Sequence, residues 1–106
     1  MKLSIIIPVF NEEKTVGKIL KKVLDLKIAN VEKEIIVVDD GSTDKTRQIL
    51  KQIKNIKIIL HDNNKGKGSA VKTGIKNATG DYIIIQDADL EYDPEQIRTL
   101  IQPILE

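Results

Sequence analysis

The chain has 106 residues, 41% of them hydrophobic and 31% charged, with a formal net charge of +1. That length and balance describe one folded domain instead of a disordered tail, and near-neutral charge with 3% aromatics argues against a nucleic-acid-binding face. No cysteine is present, which excludes disulfides, thiolate nucleophiles and thiolate-bound zinc and suits a cytoplasmic location.

The first apolar run, Leu3–Val9, contains Pro8 and is soon followed by charges, so it is too short for a membrane span or a signal sequence. It reads as a strand. Further strands are predicted at Glu34–Asp39, Ile56–Leu60 and Asp81–Gln86; they are rich in Ile and Val and mostly continuous in apolarity, as strands covered on both faces of a parallel sheet must be.

Helical spacing fills the intervals. Val16, Ile19, Leu20, Val23 and Leu24 make the first apolar stripe, with Asn11 as its candidate N-cap. The second helix follows Ser42 and Thr43 and should bury Ile49, Leu50 and Ile53; the third is expected from about Ser69 to Ala78. Before the fourth, Asp93 is placed to cap, Pro94 and Glu95 open the first turn, and Gln96 can complete a capping box. Its stripe is Ile97, Leu100, Ile101, Ile104 and Leu105, and Pro103 predicts a kink or an end near Ile101. Asn77 begins a glycosylation-like "NAT", which is read as coincidence without a secretory signal.

The order β-α-β-α-β-α-β-α, without repeat or linker, predicts a single α/β domain built on a doubly wound, mainly parallel sheet. Right-handed crossovers bring the strand-to-helix loops to one rim, the carboxyl edge. Those loops read "PVFNEE", "DDGSTD", "HDNNKGKGS" and "DADLEYD". Taken singly, each is ordinary turn and cap chemistry. Their convergence on one rim points to a shared ligand site.

Asp87 and Asp89, two apart in an extended segment, point to the same side, and Glu91 joins them if the chain turns back. Like charges so placed repel, which a divalent cation between them offsets, and oxygen-only ligands suit Mg²⁺ or Mn²⁺ with a diphosphate supplying further oxygens. The neighbouring "NNKGKGSA" has the lysines and glycines of a phosphate cradle at a helix start. It matches neither the P-loop nor G-x-G-x-x-G, which argues against ATPase and nicotinamide chemistry. His61, the single histidine, has no Ser or Cys nucleophile near it in sequence and reads as a strand-end surface residue without a role.

Together "LSIIIPVFNEE", "EIIVVDDGSTDKT", "NKGKGSAVKTG" and "GDYIIIQDADLEYDPE" span the chain and closely resemble the amino-terminal half of inverting family 2 glycosyltransferases. The resemblance is strongest to the branch with dolichol-phosphate mannosyltransferase and bacterial polyprenyl-phosphate sugar transferases. It implies a GT-A-type fold in which residues 1–106 form the nucleotide-sugar-binding half. Carried over by position, Pro8, Val9, Asn11 and Glu12 border the nucleobase, Asp40 or its neighbour Asp39 hydrogen-bonds it, and Lys67 lies in a loop that reaches phosphate. Asp87 and Asp89 are the D-x-D pair at the ribose and the metal, Asp89 being the candidate catalytic residue, and Glu91 stands at the metal where relatives often have Gln. The implied reaction moves a sugar, with inversion, from a UDP- or GDP-sugar to a polyprenyl phosphate or glycan acceptor, using Mg²⁺ or Mn²⁺.

Members of that family continue past this length, so the acceptor half is expected to be absent, the chain to be doubtful as a catalyst alone, and an uncovered sheet edge to favour homo-oligomers. No membrane span is expected here, and the full-length protein is expected in the cytoplasm or on the cytoplasmic face of a membrane. The rival class is a non-catalytic doubly wound module that binds nucleotide or regulates, such as a phosphate-accepting receiver. A receiver carries its acidic pair after the first strand, whereas Asp39 and Asp40 follow the second. A purely structural oligomerisation fragment would leave the acidic rim without a ligand.

Overall fold

A computed structural model describes residues 1–89 and 93–105. Strands β1 (Lys2–Val9), β2 (Glu32–Asp39), β3 (Lys57–Leu60) and β4 (Tyr82–Ile85) alternate with helices α1 (Val16–Asp25), α2 (Thr46–Lys51), α3 (Lys67–Asn77) and α4 (Gln96–Leu105). The strands form one sheet in the order β3-β2-β1-β4, and every pairing is parallel. In the central pair Lys2 sits opposite Glu32 and Val9 opposite Asp39, so the two polar ends of β1 and β2 are level.

The period of two along β1 decides which layer each residue joins. Leu3, Ile5, Ile7 and Val9 enter the larger core with Ile35 and Val37, beneath Val16, Ile19, Leu20 and Val23 of α1, Leu50 of α2, and Ile97 and Ile101 of α4. On the other face Ile36 and Val38 meet Ala70 of α3. Returning from β3 to β4 reverses the direction of travel across the sheet, so a right-handed crossover places α3 opposite α1 and α2.

Close approach of α3 depends on Gly74. A Cβ there would lie 2.4 Å from Cγ2 of the fully buried Ile6. Gly74→Ala improves helix propensity by about 1 kcal/mol but overpacks the sheet, which costs about 1–3 kcal/mol. The expected net result is a lower denaturation midpoint, measured by urea unfolding; an unchanged or raised midpoint would show that α3 can retreat freely.

Several sequence expectations are corrected. Asn11 does not cap α1, which begins at Val16 with Thr15 in the cap position. Pro103 does not stop α4, which continues to Leu105. Proline there costs the bond its N–H would have made to the carbonyl four residues back, but only Ile104 and Leu105 of the helix follow it, so little helix is left to disrupt. The fourth stripe is only half buried: Ile97 and Ile101 are covered, while Leu100, Ile104 and Leu105 are exposed. Nor is β4 enclosed on both faces: it lies at the sheet edge, where Ile83 and Ile85, on the face of Ile6, and Tyr82, on the face of Leu3, are exposed. Among the described residues no helix is long and apolar enough to cross a membrane.

Candidate functional site

Strands β2, β3 and β4 each hand the ladder on to the polar residue that follows them. Asp40 N–H donates to Val9 O (2.8 Å), His61 N–H to Asp39 O (2.9 Å) and Gln86 N–H to Ile6 O (2.9 Å). The loops therefore begin from fixed points on one rim. They enclose a cavity of about 320 Å³ to which all four strand ends contribute. Pro8, Val9, Phe10 and Glu12 come from the end of β1, Asp40 from β2, Asn64 and Lys67 from the β3–α3 segment, and Asp87, Ala88 and Asp89 from β4.

Hydrogen bonds stitch these loops together. Asn11, with φ 51°, uses Oδ1 to accept from Thr43 N–H (2.8 Å) and Asp44 N–H (3.3 Å), while its own N–H donates to Ser42 Oγ (2.9 Å). Thr15 Oγ1 donates to Ala88 O (2.7 Å), which ties the start of α1 to the residue between the two D-x-D carboxylates. Gly41 (φ 77°) lies so close to the next loop that a Cβ would sit 2.4 Å from the backbone of Asn63. Local sequence signals of turns thus become contacts between loops.

Asp39 and Asp40 are adjacent but occupy different environments. Asp39, fully buried, accepts from Arg47 Nε (2.8 Å) and Ser42 N–H (3.0 Å), and Arg47 Nη2 also donates to His61 O (3.0 Å). It braces the ends of β2 and β3 and does not line the cavity. Asp40 does line it. Burial raises the Asp40 pKa, but donation from His61 and from the N–H groups of Lys65 and Gly66 outweighs burial and holds the carboxyl below its ordinary range. Asp40 is therefore an ionised acceptor at neutral pH.

Of the residues singled out in the sequence, Pro8, Val9, Glu12, Asp40, Lys67, Asp87 and Asp89 meet at the cavity, whereas Asn11 and Asp39 serve the loops around it. Glu91 lies outside the described residues. His61 is not the surface residue expected from its sequence: it is 8% exposed, with Nδ1 2.8 Å from Asp40 Oδ1 and Nε2 2.9 Å from Thr73 Oγ1. Sequence reasoning missed it because its partners lie 21 and 12 residues away.

The electrostatics are mixed. Lys67 Nζ, at the first residue of α3, donates to Asp87 Oδ1 at 2.5 Å, partly neutralising the acidic wall. Asp87 and Asp89 offer hard oxygen donors on one wall, which suits Mg²⁺ or Mn²⁺, ions that commonly take one or two carboxylates and fill the remaining positions with water and phosphate oxygens. Among the described residues no group of three or more His, Cys, Asp or Glu side chains is arranged to hold an ion. Two carboxylates suit a cation whose remaining oxygens come from a ligand and water.

The family model "Glycosyl transferase family 2" matches residues 4–106. The chain is 37% identical over 107 residues to a dolichol-phosphate mannosyltransferase of Pyrococcus furiosus, covering 98% of this chain and 30% of that protein. It is 38% identical over 106 residues to an undecaprenyl-phosphate 4-deoxy-4-formamido-L-arabinose transferase of Proteus mirabilis, covering 94% and 32%. It thus spans about a third of the length of these relatives. Glucosyl-3-phosphoglycerate synthase from Mycobacterium tuberculosis, crystallised with Mn²⁺, uridine diphosphate and glucosyl-3-phosphoglycerate, superposes with a TM-score of 0.81 at 26% identity, covering 98% of this chain and 39% of that one. Sequence along the whole chain, and the α/β fold with it, lead to one conclusion: this chain belongs to glycosyl transferase family 2.

Proposed function

We propose that the cavity binds the nucleotide-diphosphate part of a sugar donor, and that the protein transfers the sugar with inversion to a polyprenyl phosphate. One observation carries this reading: the segments after β2, β3 and β4 bring Asp40, Lys67, Asp87 and Asp89 to a single cavity, beside Pro8 and Val9 at the end of β1. Asp40 presents an ionised acceptor for an N–H of the base, beside Pro8 and Val9, whose short side chains border it. Lys67 offers an ammonium to phosphate oxygens. Asp87 and Asp89 would hold a Mg²⁺ or Mn²⁺, whose chemistry when bound is electrostatic relief of the negative charge on a departing diphosphate.

An acceptor phosphate oxygen is already anionic near neutral pH, so no strong general base is needed from this chain. Its attack from the face opposite the diphosphate gives inversion. The two curated relatives are named for dolichol-phosphate and undecaprenyl-phosphate chemistry, which supports a polyprenyl phosphate as acceptor and, since such a lipid resides in a membrane, a membrane surface as the place of work. The metal- and uridine-diphosphate-bound neighbour supports the donor class.

Titration calorimetry with UDP and GDP, each with and without Mn²⁺, tests the reading. One of the two should bind in a Mn²⁺-dependent manner. Binding equally strong with the cation chelated, or absent for both nucleotides, would overturn it.

A further inference from the structure

Asp40 does two things at once. It walls the cavity, and it also receives the loop leading into α3, with Oδ1 accepting from Lys65 N–H (2.9 Å) and Oδ2 from Gly66 N–H (2.9 Å). Lys67, the first residue of that helix, then reaches Asp87 across the cavity. The orientation of one carboxylate therefore sets both the acceptor facing the ligand and the launch point of the ammonium. What holds that orientation is His61.

An ionised carboxylate can only accept, so His61 Nδ1 must carry the proton in the 2.8 Å contact with Asp40 Oδ1. In the neutral ring Nε2 is then an acceptor for Thr73 Oγ1–H at 2.9 Å. The result is a directed chain from Thr73 on α3, through the ring at the end of β3, to Asp40 at the end of β2. His61 is buried and is not part of the cavity lining, so it can act on a ligand only through Asp40.

We propose that His61 is a positioning residue of this site: braced by Thr73, it fixes the Asp40 carboxylate so that the same group faces the ligand and anchors the loop that delivers Lys67. The inference rests on the nucleotide-binding reading for its consequence in affinity. Its structural half stands without any ligand.

Three variants separate the two. His61→Leu removes the donor, His61→Asn keeps an N–H near the Nδ1 position, and Thr73→Val removes only the outer brace. In the unliganded chain, amide exchange at Lys65 and Gly66 should quicken in His61→Leu relative to the core amides of β1, and Asn should restore much of the protection. A general loss of stability would instead speed all amides together. In the parent chain, long-range ¹⁵N correlation of the ring should show Nδ1 protonated. With UDP and Mn²⁺, His61→Leu should weaken binding about tenfold or more, and Asn should recover most of it. Thr73→Val should lie between, and it keeps the test decisive if the Leu variant does not fold. Unchanged exchange at Lys65 and Gly66 in Leu or Val variants that fold, or a bare Nδ1, would overturn the inference. Failure of the parent to bind nucleotide would sink the nucleotide reading alone and leave the exchange result to decide the role of His61.

Discussion

Asp89→Ala is expected to abolish the Mn²⁺-dependent part of nucleotide binding while leaving the fold intact. Asp89 is exposed at the cavity and belongs to neither hydrophobic cluster, so its loss should leave the chain folded, with a stability change of no more than about 1 kcal/mol. Its partner Asp87 already shares an oxygen with Lys67. One carboxylate engaged by an ammonium is a poor cation ligand by itself, so affinity in the presence of Mn²⁺ should fall by about a hundredfold, toward the metal-free value. Lys67→Ala makes an informative contrast, since it frees Asp87 for the cation but takes a positive charge from the diphosphate. Calorimetry on both variants, with circular dichroism to confirm folding, provides the measurement. If Asp89→Ala kept full metal-dependent affinity, the cation would have to be held elsewhere.

Glu34→Ala should produce the largest stability loss of any charged-residue change considered. At the end of the sheet opposite the cavity, Glu34 Oε1 accepts from Ser4 Oγ (2.7 Å) and Thr79 N–H (2.8 Å), and Oε2 from Lys57 Nζ (2.6 Å) and Thr79 Oγ1 (2.8 Å). Lys2 Nζ is 3.5 Å away. One side chain on β2 thus ties together β1, β3 and the turn between α3 and β4. The lysines are half in solvent and can be hydrated once it is gone, so the cost arises mainly from the polar groups of Ser4 and Thr79 left without their acceptor. That amounts to about 2–3 kcal/mol, or on the order of 10 °C in melting temperature for a domain of this size.

The same residue governs acid sensitivity. Burial raises the Glu34 pKa, but donation from Lys57, Ser4 and Thr79 overcomes it and holds the carboxyl far below the usual carboxylate range. A folded-state pKa below the unfolded one means that the stabilisation is fully present above the unfolded value of about 4.3 and drains away as pH falls below it. Urea midpoints should therefore drop between about pH 4 and pH 2 in the parent, and the drop should be shallower in Glu34→Gln. Parallel slopes in the two proteins would place the acid-labile group elsewhere.

Much of this molecule could be read from residue order. Continuous Ile and Val runs announced a parallel sheet because strands in its interior have no wet face, and the i, i+3, i+4 spacing of α1 was met by burial at Val16, Ile19, Leu20 and Val23. Asp93 does accept from Glu95 N–H (2.9 Å), but α4 begins only at Gln96, so this bond closes the turn before the helix and Asp93 is not in the cap position the pattern predicted. Charged and glycine-rich loops after each strand could be placed on one rim by crossover handedness alone, and Asp40, Asp87 and Asp89 do meet there. Asn11 misled because a capping residue and a loop clamp use the same short amide, and the choice between them depended on Thr43 and Asp44, which lie 32 and 33 residues away.

What the order of residues determined alone was the alternation of elements, the parallel sheet they build, and the rim at which the carboxylates gather, because periodicity and crossover handedness follow from the local chain. Tertiary structure decided the division of labour between Asp39 and Asp40, the burial of His61, and the knot around Glu34. Each of those depends on which donor arrives from a distant segment, and a buried ionised group takes its character from the partners that replace its water.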